Sequence, residues 1–213
     1  MVFMEDSERA ASLALGTSLE VGLHLNFTLP FSACNLPANL RKHHNRIVSY
    51  LTKHKLSQVI YNPFITDSFN FVFLSHQEEF IRLYGRFPDH YSGHHHMHLC
   101  ANMLASKMLP GGARVRRTFT FNPGEKNPFN RLYRLILDVY VSKKFISTDC
   151  FFSITPVHNY KRLHNIVNRS INENIEIEVH PENAEEIEFL FSKQYESLIN
   201  SVQSGCFRHL VGK

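Results

Sequence analysis

The chain has no tryptophan, no closely spaced pair of cysteines and no long apolar run, and each absence narrows what it can be. Cys34, Cys100, Cys150 and Cys206 lie far apart without a Cys-x-x-Cys pair, and no basic stretch leads into an apolar one at the N-terminus. A reduced, cytoplasmic protein is the expectation. No segment approaches the roughly 18 apolar residues of a membrane span. Basic residues are scattered rather than gathered, so a net charge of +4 and a pI near 8.9 do not point to nucleic acid. Only Arg114-Val115-Arg116-Arg117 forms a dense cluster. Charged residues make up 20%, too moderate a share for a disordered chain. With 43% hydrophobic residues, the 213 positions can bury a core as one domain, and eighteen Phe and eight Tyr give it an aromatic interior.

What the chain has in excess is histidine at one place, Gly93-His94-His95-His96-Met97-His98. Aromatic and branched residues around it, with Pro88 and Gly93 on the approach, predict an extended segment. In a strand alternate side chains share a face, so His94, His96 and His98 would point together. Neutral imidazole is a common ligand for zinc and suits other divalent ions. Same-face neighbours in a strand sit roughly 6.6 Å apart, so one of the three is the expected ligand and the others line a pocket. The competing reading is a solvated, histidine-rich loop.

A short helix stopped by Gly16 opens the chain, and residues 19–28 read as a strand. Its apolar face is Leu23, Leu25 and Phe27, and its polar face His24, Asn26 and Thr28. Helices are expected over 39–55, with His43 and His44 as an exposed pair, and over 74–84 and 101–109. Residues 113–121 read as a strand and 122–130 as a Pro/Gly/Asn loop. A helix over 131–144 has Leu132, Leu135, Ile136, Val139 and Tyr140 as its apolar stripe. Asp149 precedes an apolar strand, a helix follows over 160–173, and residues 175–180 alternate with Glu176, Glu178 and His180 on one face. A terminal helix over 185–204 would turn Ile187, Leu190, Phe191, Tyr195 and Leu198 inward. Strands followed by helices predict an α/β fold with parallel strands, in which His24, His94 and His180 come from three separate strands.

Val21-Gly22-Leu23-His24-Leu25-Asn26-Phe27-Thr28, Phe87-Pro88-Asp89-His90-Tyr91-Ser92-Gly93-His94-His95-His96-Met97-His98 and Ile175-Glu176-Ile177-Glu178-Val179-His180-Pro181 resemble, in order and spacing, the YdjC-like (ChbG/HpnK) family of carbohydrate deacetylases. The resemblance implies a TIM-like (βα) barrel and a divalent metal, Mg2+ or Zn2+, held by His24 and His94. It implies His180 and Glu176 as the catalytic histidine and the acid that orients it, with Asn26, His96, His98, Arg116 and Asp149 on the substrate. The partner implied is an acetylated oligosaccharide or amino sugar.

Departures from the family pattern carry expectations too. The family's Asn-Ala-Asp-Asp-Phe-Gly strand, which supplies another metal ligand and the base, has no counterpart here, and Asp6 is no substitute. Ser92 stands where the family has Asp. Either the chain is a shortened form of an active enzyme or it is a catalytically dead sugar-binding relative. A barrel without that strand leaves unpaired edges, covered by a homodimer or left as a gap.

Overall fold

A computed structural model of the chain describes residues 1–121, 125 and 127–212, so the loop expected over 122–130 lies partly outside the described residues. Packing divides the chain into two compact units, Met1–Val115 and Arg116–Lys213.

The first unit runs α1 (Ser7–Ala14), β1 (Leu23–Leu25), α2 (Ala38–Lys53), α3 (Thr66–Tyr84), β2 (Tyr91–Gly93) and α4 (Ala101–Ala105). Strand β1 is shorter than its alternating sequence predicts, although Leu23 N–H still donates to His90 O (2.9 Å) and Asp89 N–H to Val21 O (3.1 Å). The apolar residues are buried as expected, with Leu23, Leu25 and Phe27 fully so, but past Leu25 the strand gives way to a turn in which Asn26 and Thr28 are buried too. Phe27 meets Phe69 of α3 with ring centroids 5.2 Å apart, and each such ring contributes about 1.5–3 kcal/mol of burial. Helix α3 starts earlier than expected and buries Phe69, Val72, Phe73, His76, Phe80 and Leu83, whereas Leu74 is exposed. It stops at Gly85, which takes the left-handed conformation (φ 66°) while its N–H reaches Ile81 O at 2.8 Å.

The second unit runs α5 (Pro128–Lys144), β3 (Cys150–Ser153), α6 (Tyr160–Arg169), β4 (Ile175–Glu178), α7 (Ala184–Leu190) and α8 (Lys193–Ile199). Ile154, Val157, Leu163, Phe189 and Leu198 form its core. The single terminal helix expected over 185–204 is two helices, because Ser192 leaves helical geometry (ψ 154°) and caps α8 by accepting from Tyr195 N–H. That break puts Phe189 inside and leaves Phe191, expected inward, 88% exposed. Residues 113–121 are extended without forming a full strand: Val115 bridges Tyr91, and Thr120 N–H donates to Phe151 O (2.7 Å).

The fold is mixed α/β with short parallel strands. β1 pairs with β2 and β3 with β4, so the parallel pairing expected from sequence is present as two two-stranded sheets, and no closed barrel is assigned among the described residues.

Candidate functional site

In the first unit the parallel register sets His24 beside Ser92 and Leu25 beside Gly93. His24 Nδ1 accordingly lies 2.9 Å from Ser92 Oγ. Two glycines make room for this arrangement. A Cβ on Gly22 would meet the His90 ring at 2.3 Å, and one on Gly93 would meet His98 at 2.9 Å.

The histidine run does not continue β2, contrary to expectation. Residues His94–Leu99 wind into a tight helical turn in which His95 (φ 52°) and His96 (φ 60°) are left-handed. A strand's alternation is therefore lost, and His94, His96 and His98 do not share a face. His94 Nδ1 lies 2.7 Å from Thr28 Oγ1, and His95 Nδ1 lies 3.3 Å from the same hydroxyl. His98 is fully buried against Gly93. Left-handed backbone costs about 1–3 kcal/mol at a residue with a Cβ, so two in succession mark the turn as held by its surroundings. Burial, and then the neighbouring His95, lower the pKa of His94.

Asn26 is also fully buried. Its side chain closes the turn after β1, accepting from Thr28 N–H (3.2 Å) and Leu29 N–H (2.9 Å) and donating to Leu29 O (3.0 Å). The predicted exposed pair His43-His44 is not exposed: His43 is half-buried with Nδ1 3.0 Å from Ser68 Oγ, and His44 is buried, stacked on Phe31 at 3.7 Å between ring centroids.

In the second unit Arg116 gathers the acids of β4. Its guanidinium bonds Glu176 at 2.7 Å and Glu178 at 2.9 Å, and lies 4.7 Å from the Phe151 ring centroid. Glu178 in turn approaches His180 Nε2 (3.6 Å). His180 is fixed from the other side by Glu186, which accepts from its backbone N–H (2.6 Å) and lies 3.4 Å from Nδ1. Burial raises the pKa of Glu176 against the opposing pull of Arg116. One of its oxygens, Oε2, is buried with no hydrogen-bond partner among the described residues. A buried carboxylate in that state is a functional-site candidate. Asp149 serves the backbone, its Oδ2 accepting from Asn174 N–H at 2.9 Å.

Sequence reasoning missed Glu186. Its signal is Asn183-x-x-Glu186 at a helix start, the pattern of a capping box. Asn183 does cap α7, but the glutamate reaches His180 instead of the cap residue's own N–H.

The metal proposal can be tested against these donors. His24 and His94 stand with ring centroids 6.2 Å apart, wider than the roughly 5 Å of two imidazoles on one tetrahedral ion. Each is braced through Nδ1 by a hydroxyl, as outer-shell partners brace ligating histidines. Among the described residues, however, no three His, Cys, Asp or Glu side chains are grouped to hold an ion. Stable protein sites offer three or four ligands, so these two do not by themselves make a metal centre.

The family profile for YdjC-like protein matches residues 1–203. The chain belongs to the YdjC-like family. A proposed cellobiose-phosphate cleavage protein from Enterococcus faecalis V583 is similar in structure, with a TM-score of 0.61 at 16% identity over 94% of this chain and 82% of that one. At that identity the likeness speaks for the fold alone. No curated protein matches the chain by sequence. Among the described residues no helix of this YdjC-like chain is long and apolar enough to cross a membrane.

Proposed function

We propose that this YdjC-like protein is a carbohydrate deacetylase whose substrates are sugars carrying an N-acetyl group. The observation that carries the reading is the His180 cluster, in a chain whose family is carbohydrate-related: one imidazole held between Glu178 and Glu186 beside Glu176, a half-buried acid whose Oε2 is buried and whose pKa burial raises. Amide hydrolysis adds water to the acetyl carbonyl carbon, breaks the C–N bond to release acetate, and requires a proton for the leaving amine. His180 is the group that delivers it to the sugar nitrogen. Glu186 fixes the backbone and ring of His180, and Arg116 holds Glu176 and Glu178 in place. The barrel arrangement and the substrate contacts of Asn26, His96, His98, Arg116 and Asp149 are carried from the family as part of this proposal. So is a divalent ion, Mg2+ or Zn2+, at His24 and His94, and no step is assigned to it because the donor set is incomplete.

That incompleteness favours a second reading, a sugar-binding relative without turnover. Acetate release from N-acetylglucosamine oligomers, measured beside calorimetric binding of the same oligomers, separates the two. Release that disappears in His180→Ala supports the deacetylase. Binding without release supports the sugar-binding relative, and neither binding nor release removes both.

A further inference from the structure

Helix α5 is packed inside out. Its one acid, Asp138, faces its own unit, where Arg117 reaches it at 2.8 Å and Thr118 Oγ1 donates to it at 2.9 Å. Arg134 shares that side, its guanidinium 4.8 Å from the Phe121 ring centroid, and Val141 is the buried apolar residue there. The opposite side carries Phe129, Leu132, Leu135, Ile136 and Val139, with relative exposures of 85%, 56%, 59%, 60% and 45%. Their recurrence every three or four residues makes one continuous stripe. A helix of a water-surrounded protein turns such a stripe toward a core. Here the polar side is spent on the fold and the apolar side faces out, which forfeits the main driving force of packing unless something covers it.

Charge identifies the cover. Arg131 near one end of the stripe and Lys143 and Lys144 at the other are exposed, while the helix's acid is turned inward. A second copy docked in parallel would set like charges side by side, and one docked antiparallel would bring Arg131 against Lys143 and Lys144. Both are repulsive. The stripe runs along a helix of about 25 Å. Apolar matter beneath a layer of negative charge complements the stripe and its rim together, and an anionic bilayer interface has that layering. We propose that α5 lies in the plane of an anionic lipid surface, with Phe129, Leu132, Leu135, Ile136 and Val139 entering the headgroup boundary and Arg131, Lys143 and Lys144 on the phosphates.

Flotation of the full chain with phosphatidylcholine vesicles, with and without phosphatidylserine, tests this. The chain is expected to float with the phosphatidylserine vesicles, at least about tenfold less with phosphatidylcholine alone, and less as salt is raised. The double variant Leu135→Asp/Ile136→Asp should reduce flotation to background with an unchanged melting temperature, because both side chains are already exposed. Replacing Arg131, Lys143 and Lys144 with Ser should weaken partition roughly 100-fold. No flotation with phosphatidylserine vesicles overturns the proposal, as does flotation that Leu135→Asp/Ile136→Asp leaves intact. A dimer in sedimentation equilibrium that the same double variant dissolves also overturns it, since the stripe then belongs to a second copy. None of these readouts depends on sugar deacetylation.

Discussion

His44 and His76 hold the two backbone polar groups of one buried residue, Asn26. His44 Nε2 donates to Asn26 O at 3.1 Å, and His76 Nε2 accepts from Asn26 N–H at 3.3 Å while its Nδ1–H donates to Val72 O at 2.7 Å. An accepting Nε2 and a donating Nδ1–H fix the His76 ring as the neutral Nδ1–H tautomer just beyond β1. Burial lowers the pKa to about 4 for His44 and about 3 for His76, and the backbone hydrogen bonds of each only partly oppose it.

Acid should therefore unfold the chain through these two groups. Both folded values lie below 6.5, so the unfolded chain takes up protons first as pH falls. Stability is complete above about pH 6.5 and declines toward pH 4, by up to about 1.4 kcal/mol per pH unit for each histidine. Urea unfolding between pH 4 and 7.5 measures the slope. His44→Gln and His76→Gln should each flatten it, and an unchanged slope in both would assign the titration elsewhere.

The two glycines beside the histidines should resist any side chain. Gly22→Ala forces a Cβ into the His90 ring, and Gly93→Ala into His98. Each is expected to cost about 1–3 kcal/mol as overpacking. Gly111→Ala serves as the control, since nothing lies within 4 Å of its added Cβ. Equal urea midpoints for all three variants would contradict the close approach.

Breaking the Arg116 cluster should cost more than removing it. Arg116→Ala leaves Glu176 and Glu178 half-buried without their cation, a loss of about 3 kcal/mol or more. Adding Glu176→Gln to Arg116→Ala should recover part of that. A double-mutant cycle by urea unfolding reads the coupling, and strictly additive losses would mean that the contacts carry no joint energy.

Metal affinity should be weak and depend on hydroxyls as well as imidazoles. If His24 and His94 hold a divalent ion, calorimetric titration with zinc or magnesium should show binding that either His→Ala change removes. Ser92→Ala and Thr28→Val, which release the Nδ1 braces, should lower it about 10- to 100-fold. Binding untouched by His24→Ala and His94→Ala would dismiss the pair as ligands.

Much of the fold was legible along the chain because it is written in local periodicity. The alternation Leu23-His24-Leu25-Asn26-Phe27 marks a strand with a buried face, and Gly16 and Gly85 stand at helix ends. The Glu176-x-Glu178 pattern, likewise, put both acids on one side of β4, where Arg116 meets them. Family membership followed from three motifs in order, and the match over residues 1–203 agrees with it.

What sequence could not decide was set by contacts between distant residues. The turn at His94–Leu99 replaces an expected strand because His98 packs on Gly93 and Thr28, far away in the chain, holds His94 and His95. His44 looked exposed because a helical pattern shows which residues share a side, not what meets that side, and here Phe31 and Asn26 meet it. The α5 stripe was visible as periodicity, but its outward direction depends on Arg117 and Thr118 claiming Asp138 on the other side. Periodicity is a property of one segment, whereas burial is a property of two surfaces meeting, and only the folded chain brings the second surface.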